Sequence, residues 1–177
     1  MTAEYDAVVY DLDGTLVRLD VDWGGAAEDA AAALSACGVD TAGMTLWDVL
    51  ETAEEAGYRE SVEDVIAEYE REGAGTSRRL PVADELPLDV PVGVCSLNCE
   101  AACRLALEMY GLDRHVDVIV GRDTVDAYKP DPEPLLAVLR GLGVQAGRAL
   151  FVGDSERDAE AARRAGVPFQ SVEERTS

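Results

Sequence analysis

The chain has 177 residues, 47% of them hydrophobic, and a formal net charge of −21 at pH 7. This length accommodates one hydrophobic core with a small appended subdomain, and 36 acidic against 15 basic residues leave no basic stripe for duplex nucleic acid. The sequence shows neither a basic segment followed by an apolar stretch at its start nor an apolar run long enough to span a bilayer, so we expect a cytoplasmic protein without a membrane partner.

The first predicted element is a buried strand near Tyr5–Tyr10, which ends in the motif Asp11-Leu12-Asp13-Gly14-Thr15. Its apolar run is typical of an inner strand of a parallel α/β sheet, and ligands of such sheets bind beyond the carboxyl ends of the strands. Two carboxylates this close repel each other unless a cation or a shared proton offsets their charge. The motif favours one aspartate as nucleophile and metal ligand and the other as general acid/base.

A helical insertion follows the first strand, from Val17 to Leu80. Its alanines, leucines and scattered acids predict three short amphipathic helices, near Gly25–Ala36, Thr45–Ala56 and Ser61–Glu72. The small residues at positions 73–77 predict a return hinge. We therefore expect residues 1–16 and 81–177 to form the main domain and residues 17–80 to form a small helical subdomain.

The chain then returns through a short, proline-broken segment to a second buried strand, Val90–Cys95, which ends at the Ser96 hydroxyl. Beyond it, helices and strands alternate, with helices near Cys99–Tyr110, Pro132–Leu142 and Glu156–Ala165 and strands near Val116–Val120, Ala149–Val152 and Pro168–Val172. This alternation predicts a doubly wound parallel α/β sheet.

Lys129 lies directly before Pro130 and is the single lysine of the chain, whereas fourteen arginines supply the other basic residues. A chain that uses arginine everywhere else indicates that this position requires a compact ammonium rather than a guanidinium. Chance retention of one surface lysine is the alternative.

The strand predicted at Ala149–Val152 ends in Gly153-Asp154, and Asp158 follows on the first turn of the next helix. The chain thus contains, in this order, a DxDGT motif, a strand-end serine, a Lys-Pro pair and a GDxxxD motif. This ordered set resembles the haloacid dehalogenase-like hydrolases, from Tyr5 to about Val172. Within that family, the chain looks similar to the phosphoglycolate phosphatases and their neighbours, and its helical insertion corresponds to a small cap that closes over the active site.

The resemblance implies a magnesium-dependent phosphatase that acts on a small phosphorylated metabolite. Asp11 would be the nucleophile, which forms an aspartyl-phosphate, and Asp13 would protonate the leaving alkoxide and later deprotonate the attacking water. Mg²⁺ prefers oxygen ligands, which would come from the carboxylates of Asp11 and Asp154 and from the backbone carbonyl of Asp13. Asp158 would lie in the outer shell and orient the waters of the metal, with favourable charge at the helix N-terminus as the alternative.

The remaining implied roles concern the phosphoryl group. Ser96 and Lys129 would hold its oxygens, with Lys129 also keeping Asp11 ionised, and Thr15 would order the first loop at the substrate site by hydrogen bonding. Many family members have asparagine directly after the strand-end Ser/Thr, whereas this chain reads Ser96-Leu97-Asn98. The phosphate contact of that asparagine is therefore either lost or supplied by Asn98. Arg18 lies near a cap hinge, where it could meet an anionic substrate or be solvated.

Other functions within the fold can be weighed from the residues. An acid at position 13 argues against dehalogenation, because displacing a halide needs no protonation of a leaving alkoxide, and the cap has no lysine for the imine chemistry of the phosphonate-cleaving branch. A sugar phosphomutase shares Asp11 and Asp13 and stays an alternative. A catalytically idle homologue that binds a partner is a second one, which the intact set of polar residues disfavours.

The composition also carries an expectation about the environment of the protein. The chain has many Asp and Glu residues along its length, a single lysine and many alanines. This composition is typical of proteins from salt-accumulating halophiles. Such a chain repels itself at low ionic strength, and salt screens the repulsion. We therefore predict adaptation to high salt.

Overall fold

The computed structural model describes residues 5–177. Along the chain, its elements are β1 (Ala7–Tyr10), β2 (Val17–Arg18), α1 (Trp23–Ala36), α2 (Leu46–Ala56), α3 (Arg59–Gly75), β3 (Arg78–Arg79), β4 (Val92–Cys95), α4 (Glu100–Met109), β5 (Val118–Val120), α5 (Glu133–Leu142), β6 (Ala149–Gly153), α6 (Glu156–Ala165), β7 (Phe169–Ser171) and α7 (Val172–Thr176). Within these described residues, no helix is long and apolar enough to cross a membrane.

Five of the strands form one parallel sheet in the order β5-β4-β1-β6-β7. Strand β1 lies at its centre, where Tyr10 pairs with Val94 on one side and with Val152 on the other. Helical crossovers return the chain to the same end of the sheet each time, so the carboxyl ends of all five strands lie at one edge. The predicted doubly wound α/β sheet is confirmed.

Both faces of the sheet are buried under packed side chains. Successive residues of a strand point to opposite faces. Val8 and Tyr10 of β1 pack into a cluster with α4, whereas Val9 packs with Phe151 and α5 into a second cluster on the other face. Burial on both faces explains why these strands read as continuous apolar runs rather than alternating ones.

The insertion between β1 and β4 contains the three expected helices, with an apolar cluster of its own that joins α1, α2 and α3. The antiparallel pair β2–β3 brings its two ends together, with Val17 opposite Arg79. That a cap and a core divide the chain at residues 17 and 80 stays a prediction.

The predicted hinge at positions 73–77 is wrong for its first three residues, because α3 continues through Gly75. Gly73 serves a close approach rather than a turn. A Cβ atom there would lie 2.8 Å from the carbonyl oxygen of Asp20, and the Gly73 carbonyl accepts a hydrogen bond from the Asp20 N–H.

The C-terminal end also differs from the expectation, since the last strand stops at Ser171 and Val172 begins α7. The Ser171 side chain accepts from the Glu174 N–H, and the Glu174 carboxylate accepts from the Ser171 N–H. This reciprocal capping box starts a helix, and its Ser-x-x-Glu spacing is readable in the sequence.

Candidate active site

Three strand ends bring polar side chains to one edge of the sheet. Asp11 follows β1, Ser96 follows β4, and Asp154 follows β6. Asp11 and Ser96 are buried, whereas Asp154 is exposed. Carboxylate oxygens of Asp11, Asp154 and Asp158 lie within 4.8 Å of one another, so the site concentrates negative charge at the carboxyl end of the central strand.

The turn after β1 depends on Gly14, whose φ of +88° is strained for residues with a side chain. A Cβ atom at this position would lie 2.0 Å from a carboxylate oxygen of Asp154. The turn orients Asp13, whose Oδ1 accepts a hydrogen bond of 3.0 Å from the Leu19 N–H. Burial raises the pKa of the Asp13 carboxyl, and the Leu19 N–H and the Arg18 charge oppose that rise.

Lys129 lies in the middle of the acidic cluster and is 2% exposed. Its Nζ donates to Asp11 Oδ1 at 2.9 Å, to Asp158 Oδ1 at 2.5 Å and to the Cys95 carbonyl at 3.0 Å. The ring of Phe151 lies 5.4 Å from the same nitrogen. Burial alone would lower the pKa of Lys129, but Asp11 and Asp158 raise it above its ordinary value. The lysine is therefore a fixed positive charge in the described site, not a solvated surface residue.

The charges around Asp11 favour the binding of a further cation. Burial raises the pKa of the Asp11 carboxyl well above its ordinary value, Lys129 opposes this rise, and Asp158 and Asp154 add to it. A second positive charge beside Asp11 would therefore favour the ionised carboxylate.

Asp158 takes the helix N-terminal position that is one of its two predicted roles, and it also contacts Lys129, whereas its role toward a metal stays a prediction. Its Oδ1 accepts from Lys129, while its Oδ2 accepts from the backbone N–H of Asp154 and Ser155 and from the Ser155 hydroxyl. The Ser155 side chain accepts in return from the Asp158 N–H, which completes a capping box at the start of α6. The same carboxylate thus caps the helix and binds the site lysine.

Ser96 and Asn98 form a closed pair rather than two free donors. The Ser96 hydroxyl donates to Asn98 Oδ1 at 3.0 Å and accepts from the Asn98 N–H at 3.0 Å. The Asn98 amide nitrogen donates in turn to Glu70 Oε2 at 2.7 Å. Asn98 therefore faces the insertion helix α3, a contact that the sequence did not indicate.

Thr15 does not take the position expected for a substrate contact. Its side chain is fully buried, and the hydroxyl finds no hydrogen-bond partner within residues 5–177. The loop is ordered instead by backbone bonds, in which the Leu12 carbonyl accepts from the N–H groups of Thr15 and Leu16.

A cavity of about 250 Å³ opens above the acids and Lys129. Side chains of the insertion form its apolar roof, namely Trp23, Leu46, Trp47, Leu50 and Ile66. Arg18 also lines it, so the arginine near the hinge does face the site. The Arg157 guanidinium of α6 lies 4.5 Å from the Trp47 ring, a cation–π contact that joins the roof to the main domain.

These roof residues could not be identified from the sequence, because an apolar side chain on a predicted helix is expected to be an ordinary core residue. Only the packing of α1, α2 and α3 over the sheet edge decides which apolar side chains turn toward the cavity.

Known proteins resemble this chain over most of its length. A family model described as haloacid dehalogenase-like hydrolase matches residues 8–172, nearly the whole chain. The chain belongs to the haloacid dehalogenase-like hydrolases. Crystal structures with the same fold include a hydrolase from Pseudomonas syringae, with a TM-score of 0.66 at 25% identity, covering 93% of this chain and 83% of that one. CbbY from Rhodobacter sphaeroides in complex with phosphate has a TM-score of 0.65 at 19% identity, with coverages of 94% and 85%.

Sequence relatives of this hydrolase include several phosphoglycolate phosphatases. The protein from Mesorhizobium japonicum is 31% identical over 187 residues, which cover 94% of this chain and 82% of that one. A plasmid-borne protein from Cupriavidus necator is 35% identical, with coverages of 92% and 78%. The match to Rhodospirillum rubrum reaches 47% identity but covers 45% of this chain and 33% of the relative. These relatives place the hydrolase in the phosphoglycolate phosphatase branch and identify it as a phosphatase.

Proposed function

We propose that the protein is a Mg²⁺-dependent phosphatase that hydrolyses a small phosphomonoester through an aspartyl-phosphate on Asp11. The observation that carries this proposal is the convergence of Asp11, Lys129 and Asp158 at the carboxyl end of β1. Lys129 contacts Asp11 at Oδ1, and no residue of the described range 5–177 donates to Oδ2. That second oxygen is thus available to attack phosphorus.

The donor set fits magnesium. Asp11, Asp154 and Asp158 each offer a carboxylate oxygen within 4.8 Å of the others, and hard oxygen ligands are what Mg²⁺ prefers. Both carboxylate oxygens of Asp158 already accept hydrogen bonds, one from Lys129 and the other from the Asp154 and Ser155 N–H groups, so we assign the metal to Asp11 and Asp154 together with the backbone carbonyl of Asp13. When bound, Mg²⁺ would neutralise the charge that builds up on the phosphoryl oxygens.

The reaction asks mainly for positioning and charge neutralisation. Asp11 Oδ2 attacks the phosphorus, the bond to the ester oxygen breaks, and Asp13 gives its proton to the leaving alkoxide. Asp13 then accepts a proton from water as the water attacks the aspartyl-phosphate, which releases inorganic phosphate and restores Asp11. The hydrogen bond from the Leu19 N–H to Asp13 Oδ1 leaves the other carboxyl oxygen of Asp13 for these transfers.

The phosphoryl oxygens would meet Ser96 and Lys129. Both lie at the sheet edge near Asp11, 3% and 2% exposed. The Ser96 hydroxyl, which donates to Asn98 Oδ1 here, would turn to a phosphoryl oxygen, and Lys129 would supply a fixed positive charge. A cavity of about 250 Å³ with an apolar roof supports a small leaving group.

Adaptation to high salt and a cytoplasmic location stay predictions from composition and sequence.

The metal assignment is tested by removal and by mutation. We expect EDTA to abolish hydrolysis of p-nitrophenyl phosphate and added Mg²⁺ to restore it. Asp154→Ala should raise the Mg²⁺ concentration needed for half-maximal activity at least about tenfold, because one carboxylate ligand is gone. The matched control is Asp89→Ala, which removes an exposed acid that does not line the site cavity. Full activity in a chelated, metal-free preparation would refute the assignment.

The substrate is sought in a panel of phosphorylated metabolites assayed with Mg²⁺ in concentrated KCl, which screens the repulsion within so acidic a chain. Release of inorganic phosphate supports the phosphatase. Conversion of a sugar phosphate to its isomer without phosphate release would support the phosphomutase instead.

A further inference from the structure

A buried group of charges joins α3 of the insertion to the main domain. Arg122, in the loop after β5, is 2% exposed and donates to Glu70 Oε1 at 2.5 Å and to Glu63 Oε1 at 2.6 Å. The same guanidinium donates to the Leu97 carbonyl at 2.8 Å. Glu70 is fully buried, so the insertion helix is tied to two loops of the main domain at once.

The second oxygen of Glu70 extends this network to the candidate phosphate site. Glu70 Oε2 accepts from the Asn98 side-chain nitrogen at 2.7 Å and from the Cys99 N–H at 3.3 Å. A carboxylate only accepts hydrogen bonds, so Glu70 fixes the Asn98 amide with its nitrogen toward α3. Asn98 Oδ1 must then face Ser96, whose hydroxyl donates to it at 3.0 Å. The position of Ser96 Oγ is therefore linked, through Asn98, to a residue of the insertion.

Backbone packing makes this arrangement stiff. The Arg122 N–H donates to the Asn98 carbonyl at 2.9 Å, and a Cβ atom on Gly121 would lie 2.4 Å from the Glu100 nitrogen. The loop that carries Ser96 and the loop that leads to Lys129 thus touch at main-chain level. A shift of α3 would be transmitted to both loops.

A buried ion-pair network of this kind is weak evidence for a stabilising role. Taking two ions out of water costs several kcal/mol each, and well-packed apolar side chains of similar volume are often at least as stabilising. What an apolar pair cannot do is orient the Asn98 amide. The network therefore contributes geometry at Ser96 that packing alone would not supply.

We propose that Glu70 and Arg122 are positioning residues for catalysis, which act on the phosphoryl group through Asn98 and Ser96. This inference rests on the proposed phosphatase function. Neither side chain takes part in the chemistry. Their effect is to hold α3 against the two loops and to keep Ser96 Oγ in one position, from which its hydroxyl turns from Asn98 Oδ1 to the phosphoryl group.

A double-mutant cycle between Glu70→Gln and Asn98→Ala tests the route through Asn98. With p-nitrophenyl phosphate and Mg²⁺, we expect Glu70→Gln to lower kcat about tenfold. In the Asn98→Ala background, the same substitution should change kcat less than about twofold, because the connection to Ser96 is already cut. It should lower the thermal midpoint in both backgrounds, since Arg122 loses a charged partner in each. Equal losses of kcat in both backgrounds would overturn the proposal.

A second variant separates positioning from stability. Glu70→Leu and Arg122→Met, combined with Glu63→Gln so that no carboxylate is left without its cation, remove all three charges, so we expect a thermal midpoint at or above that of Glu70→Gln. The kcat of this triple variant should stay about tenfold below wild type. A stable triple variant with wild-type kcat would show that the charges are structural only and would refute the inference.

The control is Arg59→Gln, which removes other contacts between the insertion and the main domain. Arg59 donates to the Asp126 carbonyl at 3.1 Å and to the Arg122 carbonyl at 3.4 Å, and it contacts neither Asn98 nor Ser96. Its kcat should stay within about twofold of wild type. A loss as large as that of Glu70→Gln would mean that any loosening of the insertion lowers kcat, against the proposal.

Binding of inorganic phosphate in the presence of Mg²⁺, measured by calorimetry, provides a readout without chemistry. If the wild-type protein binds phosphate but hydrolyses no ester, the proposed phosphatase function is refuted. The positioning role is then tested by measuring the phosphate dissociation constant in the double-mutant cycle between Glu70→Gln and Asn98→Ala. Glu70→Gln should then weaken phosphate binding only when Asn98 is present. Equal weakening with and without Asn98 would again overturn the inference.

Discussion

Asp11→Asn is expected to lose at least about 10³-fold in turnover, which corresponds to roughly 4 kcal/mol of activation free energy. The change removes the attacking carboxylate and one metal ligand while it preserves the shape of the side chain. It also takes away one of the two carboxylates that Lys129 contacts, at 2.9 Å in the native site. The second, on Asp158, keeps the lysine paired, so the fold should persist. Hydrolysis of p-nitrophenyl phosphate and the thermal midpoint check the two parts of this prediction.

The matched control is Asp89→Asn, the same chemical change at an exposed position, which should leave turnover unchanged. Near wild-type hydrolysis by folded Asp11→Asn would contradict covalent catalysis by this residue.

Lys129→Arg should fold and yet lose most of its turnover, by about 10²-fold or more. The Nζ atom meets oxygens of Asp11, Asp158 and Cys95 at one point, within 3.0 Å, and the side chain is enclosed. A planar guanidinium keeps the charge but spreads its donors over a wide fork, so it cannot place one nitrogen among the three acceptors. Lys129→Ala should be as inactive and less stable, because it leaves buried carboxylates without their cation.

The control for this substitution is Arg148→Lys, an exchange of the same two residue types at an exposed ion pair with Asp6. It should change neither turnover nor the thermal midpoint measurably, since exposed ion pairs contribute little. Wild-type kinetics in both Lys129→Arg and Lys129→Ala would mean that the lysine is a bystander and that the site is misassigned.

The strand-end residues of the site could be predicted because their signals are local. Asp11, Ser96 and Asp154 each follow an apolar run directly, and the ends of parallel strands meet at one edge whatever the rest of the chain does. Lys129 was predictable for another reason, since its use in a chain with fourteen arginines singles it out.

The contacts across the insertion could not be predicted in the same way. Glu70 and Arg122 are 52 residues apart, and in the sequence each reads as one more charge on a helix or loop. Trp47 faces the cavity only because α2 packs against α1 and α3 at a particular angle. Gly73 was predicted to lie in a hinge, because the sequence does not distinguish a glycine needed for close packing from one needed for a turn.

A covalent phosphoryl group on Asp11 is the central step of the proposed mechanism. Borohydride added during turnover of p-nitrophenyl phosphate with Mg²⁺ reduces an acyl-phosphate to an alcohol, and peptide mass spectrometry then locates the reduced residue. We expect reduction at Asp11 alone, with none in the absence of substrate or in the presence of EDTA. Reduction at Asp13 or Asp154, or active enzyme in which no aspartate is reduced, would contradict this mechanism.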